Sequence, residues 1–395
     1  MSRFHSYINS AAEILRLYNG EEPFSSFLKK YFTANKKFGS KDRKQVSHLC
    51  YCFFRLGKMS KQVSVEDRLL IGLFLCANEP NDLIETFRPE WNNVVAKNLK
   101  EKFSFLNAQF FVQDVFPWRD ELSGGIDYEN FRESFFIQPD LFLRLRPGQE
   151  ELVKKKLNDA GLDFKMVGNN CLALPNASKI DSIIEVNKDA VVQDISSQRI
   201  GEFFQLAIPG SQPARQAKVT RVWDCCAASG GKSILLYDQL PGVDLTVSDV
   251  RESILANLKK RFKEADIKKY NSVVADLAAP QFKFPFSNFE FIVCDVPCSG
   301  SGTWSRTPEQ LYYFEKDKIA PYASLQKKIV SNVIPHLAIG GHLLYITCSV
   351  FKQENEELVE FIKQNFHFQL ITMKILKGYG KKADTMFAAL LKKSL

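Results

Sequence analysis

Two cysteines of this chain lie in short loops whose composition is unusual for a buried thiol. Cys298 stands within Asp295-Val-Pro-Cys-Ser-Gly-Ser-Gly302, and Cys348 stands within Thr347-Cys-Ser349. Each loop follows a strand-like apolar run, and a third such run leads into a glycine-rich loop, Cys226–Lys232. A cysteine is more often an inert small core residue, but these two lie among Pro, Gly, Ser and Thr. The combination predicts thiol chemistry beside a nucleotide-like cofactor.

Competing thiol and metal chemistries do not fit the spacing. A phosphatase loop of the form Cys-x5-Arg fails because the next arginine after Cys298 is Arg306, two positions too far. A cysteine protease needs a paired histidine, but His336 and His342 fall at a predicted helix end and strand start. The sequence has no Cys-x-x-Cys pair and its five histidines form no ligand cluster, so we expect no metal. Six other cysteines are predicted to be inert core residues: Cys50, Cys52, Cys76, Cys171, Cys225 and Cys294.

The elements that must position these loops read as a doubly wound α/β domain. From residue 219 onward, apolar strands alternate with helical patterns, which is typical of a parallel sheet covered by helices. A late hairpin, Phe368–Met373 with Met386–Leu391, is expected to close this sheet. Because the fourth and fifth strands of such a sheet are usually neighbours, both loop cysteines should lie at the cofactor edge. The five predicted parallel strands are Val219–Asp224, Val243–Ser248, Ser272–Ala275, Phe289–Cys294 and His342–Thr347.

The glycine-rich loop predicts a nucleoside cofactor without a bridging phosphate. Gly231-Lys232-Ser233 fits the end of a Walker A loop, but the first glycine would fall at Cys226, and the dinucleotide fingerprint is also absent. Glycines let the backbone approach a ligand closely, and the next helix offers free N–H groups. Asp249 ends the second strand, 25 residues after Asp224, where it can accept from ribose hydroxyls. Asp276 ends the third strand, near the expected adenine.

The first ~125 residues read as helical. Apolar residues recur at helical spacing in 40–57, with Ser40 as the expected cap, and 67–77 reads as a buried helix. Gly124-Gly125 marks a break in the chain. These patterns predict an all-α domain over residues 1–125.

Residues 126–205 change character and read as a small α+β unit. Phe142–Arg146 alternates like a strand, Glu150–Ala160 reads as a helix, and Cys171–Leu174 reads as a further strand. Residues 207–216 read as a linker or loop. We therefore predict three domains, 1–125, 126–205 and 206–395.

The net charge of +8 is concentrated near the start of the chain. Residues 1–63 hold twelve Lys and Arg against four Asp and Glu, whereas the other 332 residues hold 41 of each sign. This distribution indicates an anionic partner, nucleic acid first, although a merely solvated lysine-rich face is the plainer alternative. No apolar run approaches the ~20 residues of a membrane span. The sequence shows no signal peptide and no disulfide pattern, which predicts a cytoplasmic protein, monomeric by default.

Three motifs resemble those of the RNA cytosine-5 methyltransferases of the NOL1/NOP2/Sun group. They are Asp224-Cys-Cys-Ala-Ala-Ser-Gly-Gly-Lys232, Asp295–Gly302 and Thr347–Ser349. Residues 1–60 are similar to a NusB-like RNA-binding domain, so the resemblance spans nearly the whole chain and indicates the B-type enzymes of small-subunit ribosomal RNA. Smaller matches are Arg306–Pro308, Gln326, Gly340-Gly341, Glu354–Glu356 and the segment Val192–Gln198.

The resemblance implies a Rossmann-like methyltransferase domain preceded by a small α+β domain and an all-α NusB-like domain. It assigns Cys348 as the nucleophile at C6 of cytosine, Cys298 to product release, and Asp295 to a hydrogen bond with N3. RNA is the implied partner, with ribosomal RNA first and transfer RNA as the alternative. The implied cofactor is S-adenosylmethionine, bound by Cys226, Ala227, Ala228, Ser229, Gly230, Gly231, Lys232, Asp249, Asp276 and Asp295.

Two departures and two rival interpretations accompany this assignment. Ser229 stands where the family usually has Pro, and Asp384–Phe387 is looser than the usual Asp-Gly-Phe-Phe, yet neither change removes a chemical group. A DNA cytosine-5 methyltransferase would attack with the cysteine of Pro297-Cys298 and leave Cys348 idle. A non-catalytic RNA-binding assembly factor is the rival from another class, and it predicts no cofactor binding.

Overall fold

The computed structural model describes residues 3–106, 114–208 and 219–394, and the chain divides into two compact units. The helical unit comprises Met1–Asp120, Asp127–Gln138 and Thr303–Lys316. The sheet unit comprises Glu121–Ile126, Pro139–Gly302 and Asp317–Leu395. This division into two units is coarser than the three predicted domains, so the boundaries of those domains stay a prediction.

The helical character of the N-terminal region is confirmed. Helix α3 (Ser40–Arg55) buries Val46, Leu49 and Phe53 on one face, as their spacing predicts. The expected cap, Ser40, was wrong: Ser40 is the first helical residue, Gly39 is the cap, and the Gly39 N–H donates to Asp42. The helices of this unit are α1 (Arg3–Leu17), α2 (Phe24–Ala34), α3 (Ser40–Arg55), α4 (Val65–Cys76), α5 (Asp82–Phe87), α6 (Pro89–Asn92), α7 (Leu99–Leu106), α8 (Tyr128–Ser134) and, later in the chain, α14 (Pro308–Tyr313).

A small antiparallel sheet begins the sheet unit. Its strands are β1 (Leu141–Leu145), β2 (Lys165–Met166), β3 (Cys171–Leu174) and β4 (Ala190–Val192), in the order β2-β3-β1-β4. Helix α9 (Glu150–Asp159) packs Val153 and Leu157 into the core of this sheet. The predicted α+β character of this region is therefore confirmed.

The second sheet of this unit is the predicted doubly wound one. Its order is β10-β11-β9-β8-β5-β6-β7, in which β5 to β9 run parallel and β11 pairs antiparallel with both β9 and β10. The predicted closing hairpin is thus confirmed. The strands are β5 (Arg221–Asp224), β6 (Asp244–Asp249), β7 (Asn271–Val274), β8 (Phe289–Asp295), β9 (Leu337–Thr347), β10 (Phe368–Leu376) and β11 (Met386–Lys393).

Alternate residues of the central strands enter two different cores. In β8, Phe291 and Val293 face one core, whereas Ile292 and Cys294 face the other. This two-sided burial explains the continuous apolar runs of the sequence, because both faces of a parallel sheet are covered. The covering helices are α10 (Ile195–Arg199), α11 (Gly201–Ala207), α12 (Gly231–Gln239), α13 (Glu252–Glu264), α15 (Ile319–Val333) and α16 (Glu356–Phe366).

Several strand bounds differ from the predicted ones. Strand β9 begins at Leu337, five residues earlier than predicted, because Gly340 adopts a positive φ of 77° and the register with β8 shifts beside Phe291. Val219 and Thr220 lie outside β5. Most of the predicted linker 207–216 lies outside the described residues. In the described part of the chain, every helix is too short or too polar to cross a membrane.

Candidate active site

The carboxyl ends of the parallel strands bring the predicted acidic residues to one edge. Strand β5 lies between β6 and β8, so the chain winds in opposite directions from this point, which is where open α/β sheets bind ligands. Asp224, Asp249 and Asp295 are the last residues of β5, β6 and β8. Strand β7 ends at Val274, so Asp276 lies in the turn after it rather than at its end.

A cavity of about 550 Å³ opens at this edge. Both loop cysteines, Cys298 and Cys348, line it, and its size suits a small organic ligand. Apolar side chains from Val250, Leu277 and Ile329 form much of its wall. Five residues of the predicted cofactor set line the same cavity: Cys226, Ala228, Asp249, Asp276 and Asp295.

The other residues of the predicted cofactor set shape the loop rather than the wall. Ala227 is buried in the core, and its N–H donates to the Ser248 carbonyl. Gly230 caps α12 with a φ of 82°, and an added Cβ would lie 2.8 Å from the Phe262 ring. Glycine is therefore required at this position for two reasons: the positive φ, and the lack of room for a Cβ. Gly231 is the first residue of α12.

Ser229, which replaces the usual proline, is held by Arg261. The Arg261 Nη1 donates to the hydroxyl of Ser229 at 2.8 Å and to its carbonyl at 2.9 Å. The Nε of the same guanidinium donates to the Asn187 side chain at 3.0 Å. The departure from the family pattern thus adds side-chain hydrogen bonds to a loop that proline would stiffen through its ring.

Asp249 contacts both the glycine-rich loop and the residue that follows β6. Its Oδ2 accepts from the Ala228 N–H at 3.1 Å, and its Oδ1 accepts from the Arg251 N–H at 3.0 Å and Nε at 3.1 Å. Sequence reasoning treated Arg251 as a surface charge, and its side chain is indeed 58% exposed. The hydrogen bond to Asp249 is the main cause of the raised pKa of Arg251.

The two loop thiols lie in contact. The Sγ atoms of Cys298 and Cys348 are 3.2 Å apart, and both residues are partly exposed. The hydrogen bond with Cys348, followed by burial, raises the pKa of Cys298 well above its ordinary value. Cys298 therefore favours its protonated form in the free protein.

Lys232 and Asp295 form a close ion pair beside these thiols. The Lys232 Nζ lies 2.5 Å from Oδ2 of Asp295. Burial alone would lower the pKa of Lys232, but the Asp295 carboxylate outweighs burial and the net pKa is raised. Since Asp295 lines the cavity, the lysine fixes the carboxylate orientation without lining the cavity itself.

Asp224 is a buried carboxyl below the cavity. Its Oδ2 accepts from the Ser233 hydroxyl at 2.5 Å, whereas its Oδ1 has no hydrogen-bond partner among the described residues. Burial raises the pKa of this carboxyl to about 7. We expected the acids at the strand ends to serve a ligand. Asp249 and Asp295 line the cavity, whereas Asp224 is structural.

Sequence reasoning missed two residues near the thiols. Tyr322, on α15, lines the cavity, and no local motif marks it. Glu354 was noted only as part of a motif match, but it is fully buried and accepts hydrogen bonds from the residues next to both cysteines. Two thiols in contact beside a positioned carboxylate make the site suited to covalent addition and elimination.

The C-terminal part of the chain matches the model of a known family. Residues 214–391 match the model of the family described as 16S rRNA methyltransferase RsmB/F. A ribosomal RNA small subunit methyltransferase B from Xanthomonas campestris pv. campestris is 31% identical over 202 residues, which are 48% of this chain and 43% of the relative. A protein of the same name from Citrobacter koseri is 30% identical over 298 residues, 72% of this chain and 64% of the relative.

The chain spans about half the length of the first curated relatives that it matches. Among solved structures, the crystal structure of PH0851 covers 100% of both chains with a TM-score of 0.69 and 19% identity. This likeness supports the whole-chain fold.

Proposed function

We propose that this chain methylates C5 of a cytosine in RNA, because residues 214–391 match the model of the family described as 16S rRNA methyltransferase RsmB/F. The proposed substrate is small-subunit ribosomal RNA, and the proposed methyl donor is S-adenosylmethionine. The observation that carries the proposal is the 3.2 Å contact between Cys298 and Cys348 in the wall of the strand-end cavity. Two thiols at this spacing can divide addition and elimination at a pyrimidine ring between them, one for each step.

The residues of the cavity fit S-adenosylmethionine. The Asp249 carboxylate offers acceptors to ribose hydroxyls, and Val250 and Leu277 offer apolar contacts to a flat base. The cofactor supplies a methyl group when bound.

Cys348 is the proposed nucleophile. Its thiolate forms a bond to C6 of cytosine, and the electrons of the C5=C6 double bond shift to C5, which becomes nucleophilic. After C5 is methylated, it carries both a hydrogen and a methyl group. Cys298, whose sulfur lies 3.2 Å from that of Cys348, first releases its own proton to solvent. As a thiolate it then takes the C5 proton, the C5=C6 double bond re-forms, and Cys348 leaves as a thiolate.

Asp295 is proposed to hold N3 of the cytosine. Its carboxylate is oriented by Lys232, 2.5 Å away, and is proposed to accept a hydrogen bond from a proton on N3. Protonation of N3 withdraws electrons from C6 and so favours attack by Cys348. The target base must leave its stack to reach the cavity, which is least costly in RNA loops.

The helical unit is proposed to dock RNA through exposed lysines. Two cationic residues of the basic segment are buried instead: Arg55 donates to the carbonyl oxygen of Phe135, and Lys58 pairs with Glu315. Five lysines from α2 to the start of α3 are exposed, and within the described residues none of the five forms an ion pair with an acid. They are Lys29, Lys36, Lys37, Lys41 and Lys44. RNA affinity is therefore expected to fall steeply with salt.

The proposal is tested by trapping the covalent intermediate. Wild type, Cys298→Ala and Cys348→Ala are incubated with S-adenosylmethionine and RNA that lacks native methylation, then run on a denaturing gel. We expect a protein–RNA adduct to accumulate in Cys298→Ala and to be absent in Cys348→Ala. The same assay with transfer RNA separates the two RNA classes.

Two other outcomes would contradict the proposal. An adduct that is lost in Cys298→Ala but kept in Cys348→Ala would assign the attack to Cys298, as in DNA-type enzymes. Absence of methylation together with absence of S-adenosylmethionine binding by calorimetry would favour a non-catalytic assembly factor.

A further inference from the structure

A cluster of fully buried polar side chains lies behind the two cysteine loops, and the proposed chemistry uses none of them. At its centre is Glu354, which follows β9 and has an exposed fraction of 0%. An ionised carboxylate is costly to bury unless its oxygens accept hydrogen bonds. The other members of the cluster, each also 0% exposed, are Ser301, Gln326, Thr347, Ser349 and Asn355.

Glu354 accepts four hydrogen bonds. Its Oε1 accepts from the hydroxyls of Ser299 at 2.5 Å and Ser349 at 2.6 Å. Its Oε2 accepts from the backbone N–H of Ser299 at 2.8 Å and from the Gln326 Nε2 at 2.9 Å. Both oxygens are therefore satisfied, which offsets the cost of burial.

These donors are the immediate neighbours of the two reactive thiols. Ser299 follows Cys298 in sequence, and Ser349 follows Cys348. Gln326 also donates to the carbonyl of Pro297 at 3.0 Å, so the residues on both sides of Cys298 are bound to the cluster. One carboxylate thus joins the two loops that carry the thiols.

The charge of Glu354 also reaches the thiol pair. The pKa of Cys298 is raised chiefly by its hydrogen bond to Cys348 and by burial, and the negative charge of Glu354 adds to this effect. This electrostatic effect opposes deprotonation of Cys298, so any contribution of Glu354 to release must come from geometry.

We propose that Glu354 is a positioning residue that fixes the spacing of Cys298 and Cys348 and thereby the rate at which the covalent intermediate is released. The role in release rests on the proposed function, whereas the role in spacing does not. A second link, from the Gly302 N–H to the Cys348 carbonyl at 2.8 Å, keeps the loops joined when the side chain is removed. We therefore expect Glu354→Ala to fold.

The spacing is measured first, without any activity assay. Diamide oxidises two neighbouring thiols to a disulfide: the thiols lose two protons and two electrons, and the azo bond of diamide becomes a hydrazine. The rate of the Cys298–Cys348 cross-link is followed by mass spectrometry of the linked peptides. We expect rapid cross-linking in wild type and at least about tenfold slower cross-linking in Glu354→Ala, because displacement by about 1 Å costs such reactions heavily.

Two matched variants separate spacing from simple loss of a side chain. Glu354→Gln keeps the shape and can still accept from Ser299 N–H and Gln326, so its cross-linking rate should stay near that of wild type. Glu357→Ala, which removes an exposed carboxylate three residues away in α16, should match wild type. If Glu354→Ala fails to fold, Ser299→Ala and Ser349→Ala carry the test, and each should slow the cross-link.

The release step is then measured with RNA. Glu354→Ala should accumulate the Cys348 adduct, as Cys298→Ala does, with a lower kcat and an unchanged KM for S-adenosylmethionine. Cross-linking at the wild-type rate in Glu354→Ala and in both serine variants would overturn the inference whatever the substrate. Slow cross-linking in these variants, with no adduct or methylation even in wild type, would retain the spacing role and refute the proposed function.

Discussion

Two groups of cysteines lie at the carboxyl edge of the same sheet, and their surroundings differ. The thiol pair, Cys298 and Cys348, lies in polar loops and lines the cavity. The thiol trio comprises Cys225, Cys226 and Cys294. Within the trio, burial is the main cause that raises the pKa of Cys225 well above its ordinary value, and the neighbouring Cys226 and Cys294 raise it further.

The comparison shows that closeness of sulfurs does not by itself create a reactive site. Both groups contain neighbouring thiols, and Cys225 and Cys226 also line the cavity, but Cys225 and Cys294 are fully buried among apolar side chains such as Trp223. The thiol pair instead has partial exposure, the Lys232–Asp295 ion pair and a hydrogen-bonded polar cluster behind it. We therefore expect reactivity to follow exposure and charged neighbours.

The largest expected difference between the groups is in turnover. Cys348→Ala should lower the rate of RNA methylation by about 10⁴-fold or more, since no other group can form the covalent intermediate. Methyl transfer from labelled S-adenosylmethionine measures it. Residual activity above one tenth of wild type would mean that Cys348 is not the nucleophile.

The next difference is in thiol reactivity. With limiting iodoacetamide near neutral pH, Cys348 should be alkylated at least about tenfold faster than Cys225 or Cys294, because both of these are fully buried and burial raises the pKa of Cys225. Peptide mass spectrometry of the folded protein gives the order of labelling. Equal labelling of both groups would remove the distinction between them.

A third prediction concerns Asp224, the residue before the thiol trio. Folding raises its pKa from 3.8 to about 7, so between these pH values the folded protein binds more protons than the unfolded chain. The free energy of unfolding should therefore fall as pH rises through this window, by about 2–3 kcal/mol between pH 5 and 8. Asp224→Asn should lack this fall. Urea titrations of both proteins at the two pH values measure the free energy of unfolding. An equal fall in wild type and in Asp224→Asn would contradict the assignment.

The smallest effect is expected within the trio itself. Cys294→Ala should lower the free energy of unfolding by about 1 kcal/mol, because it leaves a small cavity in the core. Its methylation rate should stay at the wild-type level. A large loss of activity without a loss of stability would show that the trio takes part in catalysis.

The sequence predicted the parts of the site that follow from local pattern. Apolar runs ending in Asp located β5, β6 and β8, and the motif loops located Cys298 and Cys348 at one edge. These predictions succeeded because the carboxyl ends of parallel strands meet at one edge whatever the loop lengths.

The features that the sequence did not predict depend on contacts between residues that are far apart in the sequence. The charged run around Glu354 reads as exposed, but that side chain is buried because Ser299 and Gln326, 55 and 28 residues away, supply donors. Likewise, α14 lies in the helical unit although its sequence position falls within the predicted catalytic domain. Local periodicity carries no information on either partner.

The most direct test of the central claim identifies the cysteine that bears the nucleotide. Cys298→Ala is reacted with S-adenosylmethionine and unmethylated small-subunit ribosomal RNA, digested with nuclease and trypsin, and its peptides are weighed. We predict a methylated cytidine nucleotide on the peptide that contains Cys348, and unmodified peptides for the thiol trio. A nucleotide on Cys225, Cys226 or Cys294 would contradict the assignment of the thiol pair as the catalytic site.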